Sequence, residues 1–249
     1  MKIKLSLADI NISAEINYDT TLEYCRDYLA DFETPEVELS VLWEDILAER
    51  DKYHADCERA GVERKRLTPN YFETLALYRK ICDALIDFDI VLLHGSALAV
   101  DGEGFMFTAK SGVGKSTHAA LYRELFGARV EMINDDKPLV RLKGDKVYAY
   151  GTPWNGKHKL SSNICRSLGA ICLISRGGEN AIFQLSKRDA FAEILSKAHK
   201  QKKRSGVERT VMIIDKILDA VKVYRLECNT DISAAELSYN TMKGKRNED

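Results

Sequence analysis

"FMFTAKSGVGKSTHAALY", residues 105–122, runs from a short apolar strand through a glycine-rich turn into a helix. Holding a polyphosphate needs backbone N–H groups turned into a concavity, small residues that let the chain come close, and a helix N-terminus behind them. It also needs a lysine for the β- and γ-oxygens and a hydroxyl for the accompanying metal ion. Each part is here. Gly112 and Gly114 permit the close wrap, Lys115 supplies the cation, and Ser116, with Thr117 beside it, supplies the hydroxyl. Ser111 and Val113 complete the backbone of the cradle, and the helix that starts there aims its positive dipole end at it. The pattern G-x-x-x-x-G-K-S/T is broken at one place, where Ala109 stands for the first glycine.

Working outward, "IVLLHGSALAV" (90–100) and "GFMFTA" (104–109) are β-rich runs joined through Asp101-Gly102-Glu103-Gly104, a hairpin signal because glycine tolerates positive φ. The strand entering the glycine turn is therefore expected antiparallel to its predecessor. Beyond the turn the pattern predicts a helix at 115–126, strands near 129–134, 138–142 and 146–150, and the irregular stretch "GTPWNGKHK" (151–159). Strands at 169–175 and 181–185, helices at 187–200 and 207–221, a strand at 222–227 and a helix at 231–242 follow. Upstream the reading is strand 2–7, helix 21–30, strand 36–41, helix 42–59 and helix 69–86, the last opened by Thr68-Pro69. Residues 1–88 thus form a helix-rich N-terminal region and 89–249 a mixed-sheet α/β domain with C-terminal helices; no internal repeat is present.

Composition narrows the function. With 249 residues, 45% of them hydrophobic, the chain can bury a sizeable core. Its 37 basic and 38 acidic side chains leave a formal charge of −1, and no aromatic residues interleave the basic ones, so neither nucleic acid nor an anionic membrane is an expected partner. The N-terminus lacks the apolar run of a secretory signal and no later run approaches the roughly 20 residues that span a bilayer, so a cytoplasmic location is expected. Six scattered cysteines show no metal-ligand spacing and read as free thiols. Whether copies of the chain associate as a homo-oligomer is left open.

About 20 residues past the glycine turn, "ARVEMINDDKPLV" (128–140) supplies a strand ending in Asp135-Asp136. A carboxylate there could hold Mg²⁺ opposite the hydroxyl while its neighbour stays free. Arg176, ending the strand "AICLIS" before Gly177-Gly178, has the position of a guanidinium clamp on phosphate. The "KAHKQKKR" run (197–204) reads either as the solvated end of a helix or as a basic loop released by Ser205-Gly206 that closes over an anionic substrate.

"HGSALAVDGEGFMFTAKSGVGKST" followed by "NDDKPLV" resembles the catalytic core of the HPr kinase/phosphorylase and phosphoenolpyruvate carboxykinase superfamily, over roughly residues 88 to 228. The resemblance implies a mixed-sheet P-loop fold and an ATP-dependent kinase that phosphorylates a hydroxyl of a small molecule, peptide or protein serine, with ATP and Mg²⁺ as cofactors. It implies that the backbone of 111–116 and Lys115 hold the β- and γ-phosphates, that Ser116 and Asp136 bind Mg²⁺, that Asp135 is the base, and that His94 of "HG" lies close by. Carboxykinases are about twice as long, which disfavours their reaction. Relatives of the kinase type place a metal-binding Glu near "GTPWNGKHKL", and this chain has none there. That loop is instead expected to offer Trp154 as an aromatic face, with the Asn155 amide, Lys157 and His158, to a compact polar acceptor. A nucleotide sensor without turnover is the alternative.

Overall fold

Every central strand of the larger sheet carries apolar side chains on both faces, the signature of a sheet covered by helices on two sides. The computed structural model describes residues 1–109 and 112–243. The chain divides into two compact units, Met1–Leu85 and Ile86–Asp249.

The first unit begins with β1 (Lys2–Leu7) and β2 (Ile10–Glu15), continues through α1 (Asp19–Tyr24), β3 (Val37–Ser40) and α2 (Trp43–Ala60), and ends with α3 (Pro69–Leu85). β1 and β2 form an antiparallel hairpin, β3 adds parallel to β2, and alternate Ile3, Leu5, Ile12 and Ala14 are buried. Sequence reasoning expects no strand at 10–15, because the turn uses Ala8 and Asp9 at φ 52° and 60° rather than the usual glycine. A region expected to be helix-rich therefore opens on a three-stranded sheet. The expected helix 21–30 stops at Tyr24 and is followed by a single 3-10 turn. Glu73 of α3 is fully buried, and its carboxylate accepts from the backbone N–H groups of Asn17 and Tyr18 (2.5 and 3.1 Å), the Asn17 amide (2.8 Å) and the Thr21 hydroxyl (2.5 Å). It thereby fastens to α3 the residues that lead into α1.

The second unit contains β4 (Ile90–Leu92), β5 (Ser96–Val100), β6 (Glu103–Thr108), α4 (Lys115–Phe126), β7 (Val130–Asn134), β8 (Leu139–Lys143) and β9 (Lys146–Tyr150). β10 (Cys165–Arg176), β11 (Ala181–Gln184), α5 (Lys187–Leu195), α6 (Arg204–Ala220), β12 (Lys222–Cys228) and α7 (Ser233–Met242) complete it. β5 and β6 are the expected antiparallel hairpin. "IVLLHGSALAV" is broken at Leu93–Gly95, so that β4 pairs with β8 while β5 pairs with β6 and β7. The long β10 joins the two arms: Cys165–Ser167 pair with β9, and the rest lies parallel between β6 and β12.

Along β6 and β10, Met106, Ile171 and Leu173 face a core built with α5 and α6, while Phe105, Phe107, Cys172 and Ile174 face a second core built with α4 and α7. None of the six cysteines, all among the described residues, is joined in a disulfide. Among the described residues no helix is long and apolar enough to cross a membrane.

The 197–204 run is not the end of a helix: its first residues join the sheet and 200–203 form a loop that leads into α6. α5 stops at Leu195, and Lys197–His199 lie extended against Leu92–His94, where the His94 N–H donates to the Lys197 carbonyl (2.8 Å) and the His199 N–H to that of Leu92 (3.0 Å). Burying Ala198 against Leu93 draws the segment into the sheet. Ser205 and Gly206 lie inside α6, whose apolar face starts with the buried Gly206.

Candidate active site

β6, β10 and β12 are parallel, and β7, antiparallel to β5, runs the same way. Their carboxyl ends deliver Thr108, Arg176, Cys228 and Asn134 to one edge of the sheet, where ligands of α/β folds bind because loops and helix N-termini converge there.

The glycine turn sits at that edge. Gly112 and Gly114 have φ of 76° and 127°, and the space above both is open. Gly114 caps α4 without a side-chain acceptor, and no acidic residue stands in the first turn, so the leading N–H groups have no acid to neutralise them. Lys115 is half-buried, and Ser116 and Thr117 are exposed. Ser111 lies outside the described residues. Below the turn, His118 is 2% exposed, its Nε2 lies 3.1 Å from Ser238 Oγ, and burial pushes its pKa down to about 4.

Lys115 Nζ lies 3.2 Å from His94 Nε2, and His94 Nδ1 lies 3.2 Å from Asp136 Oδ1. An ammonium only donates and a carboxylate only accepts, so the imidazole carries its proton on Nδ1 and presents a lone pair at Nε2. Burial, opposed by Asp136 and reinforced by Lys115, Lys137 and Lys197, lowers the His94 pKa and keeps the ring neutral. Burial likewise lowers the pKa of Lys115. Gly95 fixes this corner: a Cβ there would stand 2.6 Å from Met106 Cε and 2.8 Å from the Phe107 carbonyl oxygen. Asp136 also pairs with Lys137.

Asp135 points elsewhere. It is buried, its Oδ1 accepts from the Gly156 N–H (2.6 Å), and with Ser116 and His158 it lines a cavity of about 60 Å³, room for an ion and a water or two. Asn134 immediately precedes the two carboxylates. Its Oδ1 accepts from the backbone of Asp136 and Lys137 (2.8 and 2.6 Å), and its Nδ2 donates to the carbonyls of Thr152 and Trp154 (3.1 and 3.0 Å). This fully satisfied amide, which sequence reasoning does not single out, fastens the backbone of Asp136 and Lys137 to the Thr152–Trp154 loop.

Two expected contributions fall away. Trp154 is 3% exposed and offers no aromatic face, because its backbone closes the Asn134 network. The Asn155 amide is engaged by Ser161 Oγ at 2.9 Å, whereas Lys157 and His158 are exposed. Arg176 does reach the turn, donating from Nη2 to the Gly112 carbonyl at 2.7 Å. Lys197 also reaches it, with Nζ 3.3 Å from the Ala109 carbonyl oxygen; only its place in a basic run marked it in the sequence. Among the described residues no three His, Cys, Asp or Glu side chains gather as a metal cluster.

No known family model matches the chain, and no curated protein matches it. Among solved structures, the HPr(Ser) kinase/phosphatase from Coxiella burnetii aligns at 9% identity over 61% of this chain and 99% of that one, with a TM-score of 0.35.

Proposed function

We propose that this chain is an ATP-dependent kinase that phosphorylates an alcohol hydroxyl. The observation that carries the reading is the hydrogen-bonded row Lys115–His94–Asp136 at the mouth of the glycine turn. It sets a half-buried ammonium beside a neutral imidazole oriented by a carboxylate. A nucleotide sensor needs the cradle but has no use for an oriented base, so the row favours turnover.

The open glycine turn and the uncapped start of α4 fit a polyphosphate, with Lys115 on its terminal oxygens and Arg176 steadying the turn. When bound, ATP supplies the phosphoryl group and Mg²⁺ neutralises part of its charge. Ser116 and Asp135 share the small cavity and would hold the metal. Thr117 lines a cleft of about 330 Å³ walled by Leu121, Ile174 and Cys228, which suits the nucleoside. This divides the carboxylates in the opposite sense to the sequence reading: Asp135 goes to the metal and Asp136 orients His94. His94 Nε2, freed when Lys115 turns to phosphate, takes the proton of the acceptor hydroxyl.

The test is ADP release with Mg²⁺–ATP, measured with and without hydroxylated candidates. Acceptor-dependent ADP release supports the kinase. Saturable nucleotide binding with no ADP released under any acceptor supports the sensor.

A further inference from the structure

Resting on the kinase reading, we infer that the cleft between the glycine turn and the end of α5 is the acceptor site and that it selects a small acceptor carrying a carboxylate or phosphate group. The cleft has a volume of about 560 Å³, within the range for small-molecule sites. Its apolar floor includes Leu173 and Ile174, and its charged lining comprises Arg176, Lys197, Arg225 and Glu193. Three cations thus face one acid. Arg225 pairs with Glu193. Lys197 and Arg176 donate only to backbone carbonyls, those of Ala109 and Gly112, and among the described residues neither has an acidic partner. Lys197 is half-buried and Arg176 exposed, and an anion in the cleft would supply the counter-ion that both lack among the described residues.

The position also fits. Lys197 lies in the cleft wall, its carbonyl accepts from the His94 N–H at 2.8 Å, and its ammonium is near enough to depress the pKa of both His94 and Lys115. An anion held by Lys197 therefore lies beside the base and the phosphate-binding cation. The nucleoside cleft lies on the α4 side of the turn and this one on the α5 side, so both can be filled at once, with Arg176 between them.

The test is calorimetric titration with glycerate, glycerol 3-phosphate and uncharged glycerol, on protein loaded with Mg²⁺ and a non-hydrolysable ATP analogue and on nucleotide-free protein. Both anions should bind at least tenfold more tightly than glycerol. Lys197→Gln should weaken them about tenfold, Arg225→Gln about fivefold, and Glu193→Gln, which frees Arg225, should tighten them about threefold. Arg225→Gln should leave the affinity for the analogue within twofold. Because Glu193→Gln predicts a gain, a folding defect cannot imitate it.

Three results would each overturn the inference: no saturable anion binding, equal binding of glycerol, or an Arg225→Gln effect falling on the nucleotide instead of the anions. Absence of analogue binding to the parent overturns the kinase reading separately, and the nucleotide-free titration still decides the anion site.

Discussion

His94 Nε2 faces Lys115 Nζ across 3.2 Å, so in the proposed kinase the base and the phosphate-binding cation occupy each other until a nucleotide separates them. Because burial, with the neighbouring lysines, holds the His94 pKa below its ordinary 6.5, the imidazole is in its basic form at neutral pH. Transfer should therefore stay flat as pH falls to about 6.5 and decline only below it, as Nε2 protonates. His94→Gln should lower kcat by roughly 10²-fold and abolish this acid limb. A pH–rate profile of both proteins checks the point, and an acid limb that persists in the variant assigns the base elsewhere.

The two carboxylates should separate cleanly. Asp135→Asn, beside Ser116, is expected to raise the Mg²⁺ concentration needed for half-maximal activity tenfold or more, with a smaller change in kcat. Asp136→Asn replaces an accept-only carboxylate with an amide that can also donate to Nδ1, which unfixes the His94 tautomer, so kcat should fall roughly 10²-fold at an unchanged Mg²⁺ requirement. Magnesium titrations of the two variants decide it, and the opposite pattern restores the division implied by the sequence resemblance.

The parts of this site that are local in sequence are the parts that sequence reasoning finds. The glycines, Lys115 and the adjacent hairpin follow from backbone sterics; β6 and α4 keep their expected boundaries to within a residue, while the strand expected at 90–100 splits into β4 and β5. Relations across the fold escape it. Nothing in "KAHKQKKR" announces that Ala198 bridges to Leu93 and carries Lys197 to the glycine turn, because that pairing joins segments a hundred residues apart. Trp154 reads as an exposed loop aromatic only until Asn134 is seen to fasten its backbone. The β1–β2 turn hides because Ala8 at positive φ departs from the glycine rule on which hairpin signals depend.

His118 should make the fold acid-sensitive. Its folded pKa is depressed from 6.5 to about 4, so the unfolded chain binds the proton first. Stability is thus full above pH 6.5 and is lost as pH falls toward 4, by up to about 3 kcal/mol. Denaturant unfolding of the parent and His118→Gln across this window, without divalent cations, measures the difference. Parallel curves would mean that protonation of His118 costs nothing.

In the first unit, Glu73→Ala strands four donors around the start of α1, and hydrogen bonds to a charged group contribute about 1.5–3 kcal/mol each. A loss of about 3 kcal/mol or more is expected by denaturant titration. A loss under about 1 kcal/mol would show that water replaces the carboxylate without penalty.

The central claim is that the glycine turn and Lys115 hold the phosphates of a nucleotide, and Lys115→Ala tests it most directly. The side chain is half-buried and its one hydrogen-bond partner among the described residues is His94, so the variant should fold with the parent's circular dichroism and melting behaviour. Titrated with a fluorescent ATP analogue and Mg²⁺, it should bind at least 10-fold more weakly than the parent, the scale of one lost charge-assisted contact to phosphate. A folded Lys115→Ala protein that binds the nucleotide as tightly as the parent would contradict the account.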